Sequence, residues 1–303
     1  MKKKTKFLLV TSLAFSLVAT LAKAQTVDDA IMMNKKQWCN GLTYMHSRWN
    51  EYWEGTTKRD NKNLGTVTTQ SVMYMTSYGI TDKLNLLVNV PYVWTHASAG
   101  TLHGMKGFQD IDVDLKYEFY KSKIGNGRLS LIGLAGFSTP LSNYENDFLP
   151  MSIGLGSTNL SGRLTADYQN GLFFATISSA YVFRSNVTID RTSYYTNQIN
   201  YTDEVDMPNQ LNSNFFVGIR NSNLTAQVQL MNMYTFGGFD IRKNDMPFVS
   251  NQMNMTSLGA HVKYFLPFVT NLEVVASADF VIAGRNVGQA QTYMGGFFYI
   301  LSL

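Results

Sequence analysis

The segment from residue 108 to residue 120 alternates between charged and apolar side chains at nearly every position. A period of two predicts a β-strand in which one face is apolar and the other polar. Four acids and a lysine on one strand face are unusual in a soluble sheet, but they suit a closed barrel whose outside meets lipid and whose inside is wet. The apolar set is Ile111, Val113, Leu115, Tyr117 and Phe119, and the charged set is Asp110, Asp112, Asp114, Lys116 and Glu118.

Similar alternation recurs along the rest of the chain, in runs bounded by polar or glycine-containing connections. A tilted strand of about 11–14 residues is long enough to cross a bilayer. We therefore predict an all-β fold, a transmembrane antiparallel up-and-down β-barrel of the outer-membrane type with about twelve strands. The predicted strands are residues 41–53, 65–78, 84–95, 108–120, 128–139, 157–168, 172–183, 210–220, 224–236, 252–266, 272–283 and 290–303.

Longer polar connections alternate with tight turns along the whole chain. This alternation is expected of an outer-membrane barrel, because its short turns face the periplasm and its long loops face outward. A soluble sandwich has no reason to sort its loops in this way. The long connections are residues 56–63, 97–107, 140–156, 184–208 and 237–251, and the short ones are residues 81–83, 122–127, 169–171, 221–223 and 267–271.

The first 24 residues have the composition of a secretory signal peptide. A basic start, MKKKTK, is followed by an apolar stretch and then by Ala22-Lys23-Ala24, a small-residue cleavage pattern. We predict cleavage near Ala24 and localisation in the bacterial outer membrane. Residues 25–37 are then expected to be a periplasmic N-terminal segment, too short for a folded domain but long enough to enter a pore. Residues 38–303 are expected to form the barrel.

Composition excludes several classes of protein. The predicted signal peptide holds five lysines and no acid, so Lys+Arg falls from 25 to 20 against 21 Asp+Glu in the mature chain. A charge near zero gives no reason to expect a nucleic-acid partner. Charged residues make up 15% of the chain, against about 25% in ordinary soluble domains. After the signal there is no apolar run of about 18 residues that would predict a transmembrane helix.

The C-terminal strand carries a second localisation signal. Phe297, Tyr299, Leu301 and Leu303 alternate to the end of the sequence. This pattern is similar to the signal that the barrel-assembly machinery reads, although such proteins usually end in Phe. We therefore predict outer-membrane lipid and the barrel-assembly machinery as partners. The alternative is a last strand that is simply apolar.

The stretch from Tyr78 to Tyr117 carries a resemblance to a known family. It contains Tyr-Gly-Ile-Thr-Asp at residues 78–82, Pro91-Tyr92, Gly-Phe-Gln-Asp at residues 107–110, and Lys116-Tyr117. These motifs resemble those of the meta-pathway phenol-degradation family of outer-membrane channel proteins. The resemblance implies a transporter-like barrel that takes up small, often hydrophobic molecules. The motifs mostly encode a turn and strand pairing, so they bear more on the barrel than on the cargo.

The alternation also predicts which charged side chains face the lumen. One hypothesis is that these charges line and orient a permeation path for a small-molecule cargo. The alternative is a salt-bridge network that fills a narrow barrel and has no role in transport. The candidate lumen-lining residues are Asp110, Asp112, Asp114, Lys116, Glu118, Arg163, Asp167, Arg220, His261, Lys263, Glu273 and Asp279.

Two other functions stay open from the sequence. A membrane-embedded hydrolase, such as a lipase or protease, would need a histidine near the outer rim, and His96 and His103 lie there, with Ser98 close to them in sequence. No nucleophile elbow or reliable His-Asp-Ser spacing accompanies them, so we predict no catalytic site and no enzyme activity. The Tyr/Asn-rich loop 184–208 leaves a structural or adhesive barrel as the third possibility. We expect no cofactor and no metal site, because phosphate-binding, dinucleotide-binding and zinc-binding patterns do not occur.

Overall fold

The computed structural model describes residues 24–243 and 245–303. The predicted signal peptide lies outside the described residues, apart from Ala24. In the described part of the chain, twelve long antiparallel strands form a closed barrel. They are Gln37–Trp49 (β1), Val67–Gly79 (β2), Leu84–Ala97 (β3), Asp110–Ile124 (β4), Gly127–Pro140 (β5), Asn159–Asn170 (β6), Phe173–Arg184 (β7), Gln210–Arg220 (β8), Leu224–Thr235 (β9), Asn254–Phe265 (β10), Leu272–Arg285 (β11) and Gln291–Ser302 (β12).

The first and last strands close the barrel. β1 pairs with β12 along its length, from Gln37 opposite Ser302 to Arg48 opposite Gln291. Every other long strand pairs with its neighbours in sequence. This is the up-and-down topology that the loop pattern predicts, and the predicted number of strands is confirmed.

The register changes between β3 and β4. Asn89 lies opposite Asp112, whereas Tyr92 lies opposite Phe108, in the short strand Lys106–Phe108 that precedes β4. Pro91 sits between the two registers and has no N–H to donate to the neighbouring strand. The extra residue is accommodated as a bulge, and Gln109 N donates to Pro91 O over 3.1 Å.

The predicted first strand, residues 41–53, differs most from the structure. β1 begins earlier and ends at Trp49, and Glu51–Glu54 pairs with Thr57–Asp60 in a separate hairpin. Polar and aromatic residues continue from Trp49 to Glu54 without a turn signal such as Gly or Pro, so the sequence does not reveal where the barrel strand ends.

The two faces of β4 are sorted as the alternation predicts. Leu115 and Tyr117 are 48% and 49% exposed, while Lys116 between them is 1% exposed. Exposed apolar side chains continue around the other strands, among them Leu164, Ile177 and Leu230. An apolar surface of this extent is unfavourable in water and fits a lipid-facing band.

The described residues include no helix long and apolar enough to cross a membrane. The strands that form the barrel wall pair their backbone groups around the whole circumference. Closure is the only way in which a sheet leaves no unpaired edge for lipid to meet.

The long loops pack together at one end of the barrel. Short strands Val187–Thr188 and Glu204–Val205 pair with each other, as do Tyr194–Tyr195 and Ile199–Asn200. The loops bury a small apolar core to which the first of these hairpins contributes, so they form a folded cap. This core consists of Val187, Ile189, Val205, Met207, Phe248 and Val249.

The opposite end of the barrel carries the tight turns. The Asn-Gly sequence predicted to form a hairpin joins β6 to β7, and Gly171 has φ of 58° there. This left-handed conformation is costly for most residues and is the one that a two-residue hairpin turn requires.

A charge on the apolar band tests whether lipid surrounds it. Leu164 is 67% exposed in the middle of β6, and Leu172 is 54% exposed in the following turn. We expect Leu164→Arg to destabilise the protein in lipid vesicles by about 2–4 kcal/mol and Leu172→Arg by about 0–1 kcal/mol, because the cost of a charge falls from the midplane to the interface. The free energy of unfolding in urea measures both effects. Equal losses would contradict a membrane centred on β6.

Candidate lumen site

The twelve predicted lumen residues all lie on inward or shielded strand positions. Asp114, Lys116, Glu118, Asp167, Lys263 and Glu273 are buried, and Asp110, Asp112, Arg163, Arg220, His261 and Asp279 are partly buried. They do not form one continuous network. They divide into a central group around the N-terminal segment and several separate contacts on the barrel wall.

The N-terminal segment, residues 24–33, occupies the lumen. Its Asp29 carboxylate bridges two lysines on different strands: Oδ1 lies 2.9 Å from Lys116 Nζ of β4, and Oδ2 lies 3.0 Å from Lys263 Nζ of β10. Both ammonium groups are almost completely buried. The two lysines therefore share a counter-ion that belongs to the segment before β1.

Further contacts hold the first residues of this segment. Lys116 Nζ donates to Thr26 O over 2.8 Å, and Lys263 Nζ donates to Ala24 O over 2.9 Å. The backbone N–H of Ala24 donates to Glu273 Oε2 over 2.8 Å. Three predicted lumen residues thus bind the segment directly.

The last residues of the segment are fixed at the turn end of the barrel. The Asn85 side chain accepts from Met33 N over 2.9 Å and donates to Met33 O over 3.0 Å. Lys35 N donates to Asp82 Oδ1, and Lys36 N donates to Gly79 O, both over 2.8 Å. The chain therefore enters the lumen beside the turn between β2 and β3 and then runs inward towards Ala24.

Apolar packing supports the same position. Ala24 and Met33 are fully buried against the inner face of the wall. Cys39, the one cysteine of the sequence, is buried in this cluster with a free thiol. The wall residues of the cluster are Cys39, Phe265, Val275, Phe298 and Ile300.

Electrostatics keeps Asp29 ionised. Burial by itself would raise the pKa of Asp29, but the ammonium groups of Lys116 and Lys263 outweigh burial and hold the pKa well below its usual range. Hydrogen bonds from Lys116 and from Ile31 N act in the same direction. Asp29 therefore keeps the negative charge that pairs with the two lysines across the physiological pH range.

A second charged pair lies on the wall beside the segment. Arg220 Nη1 lies 3.1 Å from Asp167 Oδ2, and the guanidinium stacks 3.8 Å from the centre of the Phe174 ring. Asp167 Oδ1 also accepts from Thr176 Oγ1 over 2.5 Å. With several contacts each, these two residues fit the packing role that the sequence left as an alternative.

Asp110 connects the wall to the loop cap. Tyr144 Oη donates to Asp110 Oδ1 over 2.7 Å and accepts from Gly156 N over 3.2 Å. Burial, followed by the hydrogen bond to Asp110, raises the pKa of Tyr144. The phenol therefore stays a donor and anchors the loop after β5.

A cavity of about 370 Å³ lies between the segment and the wall. Its polar lining includes Asp29, Lys263 and His261, together with Asp112, Arg220 and Asp279. Its apolar lining is rich in methionine, a flexible side chain that packs against many shapes. The main apolar side chains are Met73, Met75, Met231, Met294, Phe216 and Phe298. Asp112 also borders a smaller cavity with Asp114 and Arg163.

Sequence reasoning missed Asp29 and the methionines as members of the site. Asp28 and Asp29 were visible as two acids in a weakly patterned segment, but nothing in the sequence pairs Asp29 with Lys263, 234 residues away. The inward methionines follow from the same alternation that marked the charged residues. In the sequence, however, an apolar side chain at such a position cannot be told from ordinary packing.

The rim residues considered for hydrolysis make different contacts. Ser98 Oγ accepts from Thr66 N over 2.8 Å, and the His103 ring lies 5.1 Å from the Phe148 ring. These contacts bring neither histidine into a Ser-His-acid arrangement. In residues 24–243 and 245–303, no group of three or more His, Cys, Asp or Glu side chains is placed to hold a metal.

The lowered pKa of Asp29 predicts how docking depends on pH. Such a group stabilises docking above its free pKa, about 3.9, and the contribution is lost only as pH falls through the lower docked value. Hydrogen exchange of residues 26–33, corrected for intrinsic rates, should stay slow between pH 7 and about 4. Asp29→Asn should speed this exchange at pH 7. Loss of protection well above pH 4 would contradict the assignment.

The chain was compared with known proteins; no family model and no curated protein matches it. Among solved structures it is similar to the COG4313 outer membrane channel from Pseudomonas putida F1, with 12% identity over 89% of this chain and 97% of that chain and a TM-score of 0.67. It also resembles the NanC porin (9% identity, 85% and 98% coverage, TM-score 0.44). The translocator domain of autotransporter NalP from Neisseria meningitidis follows (6% identity, 88% and 89% coverage, TM-score 0.43). The first of these likenesses assigns this chain the fold of an outer-membrane channel barrel.

Proposed function

We propose that this protein is an outer-membrane channel for small hydrophobic or aromatic molecules, and that its N-terminal segment closes the lumen at rest. The observation that carries the proposal is the docking of Asp29 between Lys116 and Lys263 beside a methionine-lined cavity. A barrel built only as a rigid anchor has no need of a cavity with a charged end and an adaptable apolar wall. The COG4313 protein, which shares the fold, is itself described as an outer membrane channel.

The cavity fits the class of cargo that the family resemblance implies. Its volume of about 370 Å³ lies within the range of small-ligand pockets, about 300–1,000 Å³. Methionine side chains would adapt to apolar molecules of different shapes. The polar side chains at its borders would orient a cargo rather than bind it by a fixed set of hydrogen bonds.

The predicted lumen residues would divide among three roles. Asp112, His261 and Asp279 border the cavity and are proposed to line the path. Asp167 and Arg220 satisfy each other on the wall and are proposed to contribute mainly to packing, although Arg220 also reaches the cavity. Lys116 and Lys263 are proposed to hold the segment in the closed state.

Processing and assembly belong to the same proposal. Cleavage after Ala24 would remove the two hydrogen bonds that Ala24 makes to Glu273 and Lys263. Asp29 would then be the remaining segment partner of Lys263. The alternating C-terminal residues, which form β12 beside β1, would be read by the barrel-assembly machinery. Intact mass of the membrane-extracted protein tests the cleavage site.

The closing role of Asp29 is tested by single-channel recording in planar bilayers. We expect Asp29→Asn to raise the mean conductance at least threefold, since it leaves two buried ammonium groups without their carboxylate and so favours release of the segment. Asp203→Asn is the control, because Asp203 lies exposed in the outer loop and takes no part in docking the segment. Equal conductance of wild type and both variants would overturn the closing role.

Charge on the path is tested separately, by ion selectivity. Asp112→Asn and Asp114→Asn, made in the Asp29→Asn background, should reduce the preference for cations, because each removes a negative charge beside a lumen cavity. Asp203→Asn, in the exposed outer loop, is the control and should leave the reversal potential unchanged. An unchanged reversal potential in the two lumen variants would place these acids in the packing role instead.

A further inference from the structure

The two central lysines depend on the N-terminal segment for their partners. In the described part of the chain, Lys116 Nζ donates to Thr26 O and Asp29 Oδ1, and Lys263 Nζ donates to Ala24 O and Asp29 Oδ2. These lysines are 1% and 4% exposed. Whenever Asp29 withdraws, two neighbouring ammonium groups lose the one carboxylate that bridges them. Unpaired buried charge is costly, so an open state favours any anion that can replace Asp29.

The geometry at Asp29 defines which anion fits. Each carboxylate oxygen takes one lysine, at 2.9 Å and 3.0 Å. A free carboxylate has the same two oxygens at the same separation and forms short charge-assisted hydrogen bonds with ammonium groups. The lysines therefore make up a preformed carboxylate site that the resting protein fills with its own side chain.

The neighbouring cavity defines the rest of the ligand. Lys263 and Asp29 lie at its border, and Met75, Met294 and Phe298 line its apolar part. A molecule whose carboxylate replaced that of Asp29 could place a short aliphatic or aromatic body against these side chains. Burial of that body would add favourable free energy in proportion to its apolar area.

Only the first part of the segment would need to move. Met33, Lys35 and Lys36 are bonded to Asn85, Asp82 and Gly79 at the turn end. Asp29 is held mainly by the two lysines and by contacts within the segment itself. Asp29 could thus leave the lysines while the contacts of Met33, Lys35 and Lys36 at the turn end stay in place.

We propose that Lys116 and Lys263 form a binding site for amphipathic carboxylates, and that such a ligand enters by displacing the Asp29 side chain. The role of this site in transport rests on the proposed channel function. The cargo would then be a small amphipathic carboxylic acid, and its binding would release the segment from the lysines. Asp29 is then an internal competitor, and its local concentration is in the millimolar range typical of a short tether.

Calorimetric titration of the detergent-solubilised full chain tests the site without requiring transport. The probes are hexanoate, hexan-1-ol and hexylammonium, which share a six-carbon chain and differ in charge. Hexanoate should bind Asp29→Asn at least tenfold more tightly than wild type, because the competitor is gone. It should bind Asp29→Asn/Lys116→Met/Lys263→Met at least tenfold more weakly than Asp29→Asn. Hexan-1-ol should bind all three proteins alike.

Two results would overturn the carboxylate site. One is equal binding of hexanoate to Asp29→Asn and to the triple variant. The other is an increase in the affinity of Asp29→Asn for hexylammonium as large as the increase for hexanoate. That result would indicate a cation site in the lumen formed by acids such as Asp112 and Asp279. Asp203→Asn, in the exposed outer loop, serves as control and should bind hexanoate like wild type.

Folding and transport can be separated from binding in this design. A heat-modifiability gel shift reports whether each variant forms a barrel, and Asp29→Asn/Lys263→Met replaces the triple variant if the latter does not fold. Failure of the channel proposal would appear as absent conductance with hexanoate binding intact. Failure of the carboxylate site would appear as lost charge selectivity in binding with conductance intact.

Discussion

Closure of β1 on β12 is the constraint on which the rest of this structure depends. In lipid, an open sheet edge would leave a row of backbone N–H and C=O groups unpaired, at several kcal/mol each. Pairing from Gln37–Ser302 to Arg48–Gln291 removes that edge. Once the sheet is closed, it has an outside and an inside, and alternate side chains along each strand face the lipid or the lumen. Leu115 then faces outward, while Lys116 is almost completely buried inside.

The inside created by closure brings an electrostatic problem of its own. Strand pairing alone would leave the buried ammonium groups of Lys116 and Lys263 without the carboxylate that bridges them, and a buried charge that lacks its partner costs more than an exposed one. The chain solves this with Asp29, which comes from the segment before β1 and reaches strands far away in sequence. Pairing the two lysines and, under the proposed function, closing the lumen are therefore the same interaction. A resting state built in this way would be released by an anion that pairs with the lysines instead.

The strands were predictable because one signal, a period of two, governs each of them. Its limit appears at Trp49, where the barrel strand ends although polar and aromatic residues continue into the separate short strand Glu51–Glu54. The inward positions of Asp110 to Glu118 were also predictable, since each follows from the pleat. Their partners were not. Arg220 meets Asp167 and Tyr144 meets Asp110 only after strands and loops distant in sequence are brought together.

Local alternation, loop lengths and turn residues contain enough information to specify a barrel, its strand number and the direction of most side chains. This is because each of these properties depends on residues within a few positions of one another. The site depends on contacts across the lumen, and a strand pattern carries no information about what stands opposite. Which carboxylate meets Lys263, and that methionines from β2, β9 and β12 share one cavity with it, followed only from closing the barrel around the N-terminal segment.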